Sequence, residues 1–226
     1  MKSASKKLAM LVLLLLLLAG CVVGDALTTL TIQPDGSAEL VIVRSNLHST
    51  EQGEKAVKEI ADFQSEFDGR SNDESRRVRD AGGSVVTAAW IRRETPLANL
   101  FHARFPSAAA LERYWSIRSD DGQSQVTARF HSNGAHRRLT FLVTAPQDAG
   151  AEPPAATVDV REVQRSQANG ISSTRIAVAG GRITGARGFA IADDKQSAVL
   201  NAAEIAESLQ IGKGTAELFL EWDVQE

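Results

Sequence analysis

Three carboxylates near the carboxyl end, Glu217, Glu221 and Asp223, share the polar side of an alternating run and are the acids best spaced for proton transfer. Paired carboxylates of this kind serve glycoside hydrolysis, one giving a proton while the other acts as base or nucleophile. A wetted strand face carries the same pattern without any chemistry. The four histidines are His48, His102, His131 and His136, and no two stand at i, i+4 on a predicted helix. His131 and His136 flank Asn133-Gly134 and would approach across a hairpin, but the segment lacks the carboxylates or thiolates that complete a usual zinc set. No metal or cofactor is therefore expected. The stretch from Gly180 to Gly188 lacks the Gly-x-Gly-x-x-Gly spacing, and in Gly212-Lys213-Gly214-Thr215 a glycine interrupts the Lys-Thr pair of a phosphate loop. Both read as turns. There is no Gly-x-Ser-x-Gly elbow and no His-Glu-x-x-His pair, so no catalytic residue is assigned.

Cys21 is the only cysteine. It follows a basic start with Lys2, Lys6 and Lys7, an apolar run from Leu8 to Leu18, and the small residues Ala19 and Gly20, which is the layout of an export signal. The run is too short for a hydrocarbon core that takes roughly 20 helical residues to cross. The segment Leu18-Ala19-Gly20-Cys21 resembles the bacterial lipobox. That resemblance implies cleavage before Cys21, a diacylglyceryl group on its sulfur and a third acyl chain such as palmitate on its amine. Two or more chains are needed because each buried CH₂ contributes only about 0.8 kcal/mol. An ordinary secretory signal or an uncleaved anchor are the alternatives. Val22 follows the cysteine in place of the aspartate of an inner-membrane retention signal, which implies the outer membrane of a cell with two membranes. Lipid on Cys21 would make the membrane itself a partner.

Removing residues 1–20 from the 226 leaves 206, enough for one ordinary domain or two small ones. Of the 25 Lys and Arg, three lie in the signal segment, so 22 basic residues face 28 acidic ones and the net charge is −6. An acidic product argues against nucleic acid as partner, where a basic footprint is expected. With its one cysteine acylated, the product has no intramolecular disulfide and depends on a hydrophobic core.

The elements that would position these residues begin after a short tether, Val22 to Ala26, which spans at most about 18 Å. Leu27 to Ile32 and Ala38 to Arg44 flank Gln33-Pro34-Asp35-Gly36 and read as a hairpin, with Ala38, Leu40 and Ile42 on one face. A helix over 50–67 follows, with Ser49 as N-cap, Gln52 completing a capping box, and Val57, Ile60, Ala61, Phe63 and Phe67 as its apolar stripe. Residues 68–83 read as a solvated connection or helical extension. Ser84 to Arg93 is a predicted strand with Val86, Ala88 and Trp90 on one face. Pro96 opens a mixed segment, and Ser107 caps a short helix to Arg113. Tyr114 to Ser119, Ser124 to Ser132 and Arg137 to Thr144 form a meander through turns at Asp121-Gly122 and Asn133-Gly134. Pro146 to Ala156 is a surface loop. Val158 to Val163 and Ser172 to Ala179 are strands, and Gly180-Gly181 turns the latter into Arg182 to Thr184. Asn201 caps a helix to Leu209 with Glu204 and a Leu200–Ile205 staple. Thr215 to Val224 is the most regular strand, with Ala216, Leu218, Leu220, Trp222 and Val224 on one face. The chain is thus expected to be α+β, a single domain over 27–226 with a mainly antiparallel sheet packed by two or three helices.

Two functions compete. One is a membrane-anchored envelope lipoprotein whose body binds a partner protein or an amphiphilic ligand, the latter in a cavity walled by Trp90, Trp115 or Trp222. Leu30 to Ser37 resembles the hairpin of uncharacterised bacterial lipoproteins in which an anchor leads almost at once into a Leu-x-Ile-x-Pro-Asp-Gly-Ser turn. The other is an envelope hydrolase acting on lipid, glycan or peptide through the carboxylates of the last strand. Arg76-Arg77, Arg92-Arg93 and Arg137-Arg138 could meet anionic head groups, against the reading that they are ordinary solvated arginines.

Overall fold

The computed structural model describes residues 22–118, 125–144, 172–212 and 214–225, and within them the chain is α+β with two mainly antiparallel sheets. Strand β1 (Val22–Ile32) turns into β2 (Ala38–Ser49) through Asp35, whose Oδ1 accepts from Ser37 N at 2.9 Å and Ser37 Oγ at 2.7 Å. These bonds hold the Asp35 carboxyl below the usual carboxylate range. Leu30, Ile32, Ala38, Leu40 and Ile42 are buried, as their alternation requires. The expected tether is instead strand: Val22 pairs with Ser49, and the ladder runs from there to Ile32 opposite Ala38. Gly24 makes this foot possible, because a Cβ there would lie 2.6 Å from the Ser45 carbonyl.

Helix α1 (Glu54–Asp68) starts later than expected. Ser49 ends β2 instead of capping it, its Oγ accepting from Glu51 N at 2.9 Å, and Gly53 at φ 63° breaks the chain's path before the helix. Its stripe narrows to Ile60, Phe63 and Phe67, while Val57 is left exposed. Helix α2 (Asp73–Asp80) fills the predicted connection, with Asn72 Oδ1 accepting from Ser75 N at 3.0 Å. Strand β3 (Ser84–Arg92) bulges between Val85 and Thr87, which turns Val86 outward and puts Val85 beside Ala88 and Trp90 against the core. The mixed segment is an interior strand, β4 (Leu97–Phe105), between β2 and β3, with Leu97, Phe101, Ala103 and Phe105 buried.

Ser107 Oγ caps helix α3 (Ala108–Trp115), accepting from Ala110 N at 3.3 Å. The first strand of the expected meander shrinks to β5 (Ile117–Arg118), since Tyr114 and Trp115 are buried in the helix. Beyond it the edge of β6 (Gln125–Asn133) is served by side chains: Glu112 Oε1 accepts from Phe130 N at 2.6 Å and Ser116 Oγ from Ala128 N at 3.0 Å. Backbone donors that would have needed a longer strand are thereby satisfied. Strand β7 (His136–Thr144) pairs with β6 across Asn133-Gly134. The Asp121-Gly122 turn, the Pro146 to Ala156 loop and the Val158 to Val163 strand lie outside the described residues.

Strand β8 (Ser172–Val178) runs parallel to β1. At Gly180-Gly181 the chain changes sheets, because β9 (Gly181–Arg187) pairs with the last strand and not with β8. Strands β10 (Phe189–Ile191) and β11 (Ser197–Leu200) return to β8. Asn201 Oδ1 then accepts from Glu204 N at 3.3 Å at the start of helix α4 (Ala202–Ile211), and β12 (Thr215–Val224) closes the fold. The sheets are ordered β10-β11-β8-β1-β2-β4-β3 and β5-β6-β7-β12-β9. Their inward faces share one core, in which Leu30, Leu40 and Phe101 join Leu139, Leu220 and Trp222. A fully buried side chain of this size contributes about 1.5–3 kcal/mol.

Candidate functional site

The carboxylates of β12 stand on the outward face of the five-stranded sheet, where register brings Glu221 opposite Arg138 and Asp223 opposite His136. Arg138 reaches Glu217 Oε1 at 2.6 Å and Glu221 Oε1 at 2.8 Å, and its guanidinium lies 4.2 Å from the centre of the Phe219 ring. Asp223 Oδ1 is 3.0 Å from His136 Nδ1. Glu217 and Glu221 are therefore engaged by the Arg138 guanidinium and Asp223 by the His136 ring on the outward face of the sheet. The arrangement suits a solvated β surface.

The histidines do not converge. Register sets His131 opposite Arg138 and His136 opposite Asn133, and His102 Nε2 lies 3.5 Å from Glu39 Oε2. Among the described residues no three His, Cys, Asp or Glu side chains group as metal ligands. The three tryptophans expected to wall a cavity are packed against other rings. Trp222 meets Phe130 edge-on at 5.7 Å, Trp115 meets Phe141 at 5.7 Å, and Trp90 meets Phe67 at 4.8 Å while donating to Asp68 Oδ1 at 2.8 Å. Such rings supply core area, as aromatic pairs in globular proteins usually do. Cys21 lies outside the described residues.

The arginine pairs are mostly committed to the protein. Arg93 grips Asp68 through both terminal nitrogens, at 3.0 and 2.8 Å, and this bond, ahead of the one from Trp90, lowers the Asp68 pKa. Arg76 pairs with Asp73, Arg77 donates to the Tyr114 carbonyl at 2.7 Å, Arg92 donates to the Pro96 carbonyl, and Arg137 donates to the carbonyls of Gly134 and His136.

Two features went unread in the sequence. The first is a polar seam beneath α2. Arg44 of β2 reaches Glu74 at 3.3 Å, Glu74 accepts from the Tyr114 hydroxyl, and Arg77 lies 4.5 Å from the Tyr114 ring centre. Burial, reinforced by the Glu74 charge, pushes the Tyr114 hydroxyl well above its ordinary pKa, so it stays a donor. Beside Arg44 in register stands Asn99, wholly buried, with neither amide atom hydrogen-bonded among the described residues. The signal for both was an interruption: Arg44 and Asn99 occupy inward positions in otherwise apolar alternations.

The second is a solvent-open groove of about 560 Å³ at the turn end of the seven-stranded sheet, lined by Gln33, Ser37, Glu39, Gly83, Ser84 and Arg104 among others. Glu39 and Arg104 are joined across it at 2.9 Å. It lies at the end of β1 opposite Val22, because Ile32 and Ala38 frame the turn while Val22 pairs with Ser49. No sequence motif announces such a groove, since its walls come from four separate segments.

No known protein family matches the chain, and no curated protein matches its sequence. Among solved structures it is similar to the folded domain of the Mycobacterium tuberculosis LppM (Rv2171) protein, determined by NMR, at 10% identity and a TM-score of 0.39 over 91% of each chain. Among the described residues no helix is long and apolar enough to cross a membrane.

Proposed function

We propose that this chain is an envelope lipoprotein, cut before Cys21, held by acyl chains on that residue at the periplasmic face of an outer membrane, and acting there as a non-enzymatic binding module. One observation carries the reading: β1 begins at Val22, the residue after the lipobox cysteine, and is hydrogen-bonded into the sheet from its start. A ladder that starts one residue after the proposed acylation site would hold the folded body close to the lipid. The hydrolase alternative would draw on Glu217, Glu221 and Asp223, and these are engaged by Arg138 and His136. The groove at the opposite end of the sheet is directed away from the anchor and is the surface offered to an envelope partner protein.

Replacing Cys21 by Ser tests the anchor. The wild-type product is expected to lose residues 1–20, gain the mass of its acyl chains and sediment with outer membrane, while the variant keeps its precursor mass. Unchanged size, processing and membrane retention in the variant would overturn the reading. For the binding role, a photocrosslinker placed at Ser84 should capture a defined partner in intact cells, and recovery of only the bulk lipoproteins would count against one.

A further inference from the structure

The outward face of the seven-stranded sheet is graded along its length. Register places Leu27, Val43, Leu100 and Ala89 side by side across β1, β2, β4 and β3. The next outward row is Thr29, Val41, His102 and Thr87, and the one beyond it is Thr31, Glu39, Arg104 and Ser84. Across these four strands the rows pass from apolar to charged, and the apolar row lies nearer Val22 than the charged one, while on the neighbouring β8 Ser173 stands beside Leu27 and Arg175 beside Thr29. Leu27 is 51% exposed, and Ile91, at the second bulge of β3 beside this row, is 62% exposed. Between the row and the foot stands Asp25, hydrogen-bonded to Asn46 at 2.5 Å.

We infer that the anchor-side half of this sheet face rests on the lipid bilayer that holds the acyl chains, with Leu27 and Ile91 entering the interface. The inference rests on the acyl-anchor reading and adds an orientation to it. Leu27 stands five residue steps along the strand from Val22, about 17 Å at the usual rise. With the strand hydrogen-bonded from Val22 onward, the body cannot drift from the membrane on a flexible stalk, so some surface within that reach must meet the headgroups. The apolar row is the surface there whose side chains gain by leaving water. Tilting onto it buries that row and leaves Glu39, Arg104 and the groove at the far end in water.

The test uses the full-length acylated protein in vesicles of phosphatidylethanolamine and phosphatidylglycerol. Acylation blocks the Cys21 thiol, so a single fluorophore can be attached through Leu27→Cys or Ile91→Cys, and through Leu142→Cys or Ile211→Cys as references. Leu142 is 45% exposed on the other sheet and Ile211 is 71% exposed on α4. Brominated lipid should quench the label at positions 27 and 91 and shift its emission to the blue, and should leave positions 142 and 211 unchanged. Equal quenching at all four positions overturns the inference while the acyl mass on Cys21 keeps the anchor reading intact. Protection of position 27 from an aqueous quencher on the vesicles, without any quenching there by brominated lipid, also overturns it, because protein, whether this chain or a second copy, would then cover the face. A product without acyl mass removes both readings together.

Discussion

On the outward face of the five-stranded sheet Arg138 draws Glu217 and Glu221 together over Phe219, whereas the outward face of the seven-stranded sheet carries Leu27, Val43, Leu100 and Ala89 in a row without a charge. Both are solvent-side faces of antiparallel ladders, and both lie behind the same shared core. The first resolves its polarity internally, by cross-strand pairing. The second leaves apolar area among the strands on the Val22 side of its charged row. An outward face completed by its own ion pairs is suited to water, whereas an outward row left apolar is suited to contact with lipid, as the proposed anchor would require.

The inward faces differ as well, and there the largest mutational effect is expected. Arg44 and Glu74 are 22% and 11% exposed, so Glu74→Ala would strand a poorly solvated guanidinium and the Tyr114 hydroxyl together. A loss of about 3–5 kcal/mol is expected in chemical denaturation. A loss under about 1 kcal/mol would show the seam to be as well hydrated as a surface pair. Asn99→Leu should act in the opposite direction, because the buried amide lacks partners among the described residues. A gain of about 1–2 kcal/mol in the same assay is expected, and a loss would mean that the amide is satisfied after all.

Arg138→Ala probes the ion-paired face directly. Its partners Glu217 and Glu221 are 50% and 25% exposed, so the change should cost about 1 kcal/mol or less and the cost should shrink further in high salt. A larger, salt-insensitive loss would give this cluster the character of the buried seam. Acid titration separates the surface pairs in another way. Asp68 has its pKa lowered in the folded state by Arg93 and then by Trp90, so its stabilising effect is present above about pH 4 and is lost as pH falls through the lowered value. Asp68→Asn should flatten that part of the stability profile below pH 4 and leave the profile near neutrality with its slope unchanged.

The smallest effect sharpens the comparison most. Leu27→Asp and Leu142→Asp each change an exposed side chain, and in solution both should alter stability by about 0.5 kcal/mol or less. Flotation of the acylated protein with vesicles at rising ionic strength should separate them, the first variant weakening retention and the second leaving it as in wild type. Equal retention would place both faces in water.

The readable parts of the fold were those set by neighbours in the chain. Asp35 and Ser37 shape the first turn, Asn133-Gly134 the second, Ser107 and Asn201 cap their helices, and β12 alternates without interruption. The unread parts depend on distant residues. Strand β4 was masked because His102 and Arg104 dilute its pattern on the outward side and Asn99 on the inward one. Tyr114 and Trp115 have strong β propensity, yet they are helical because α3 brings their rings into the core and lends Glu112 and Ser116 to the edge of β6. The carboxylates of β12 were visible as a set, but their partners lay on β7, nearly eighty residues away in sequence.

Local sequence determined where the hairpins turn, where two of the helices begin, which side of β12 is apolar, and that a lone cysteine follows a basic and then apolar segment. Tertiary structure alone decided that β8 lies parallel to β1, that the chain changes sheets at Gly180-Gly181, and that Leu27, Val43, Leu100 and Ala89 meet in one outward row while Glu39 and Arg104 meet in another. The physical reason is range. Turn bonds, caps and alternation act over a few residues, whereas ladder partners and the composition of a sheet face are set by strands that meet only after the chain has closed long loops.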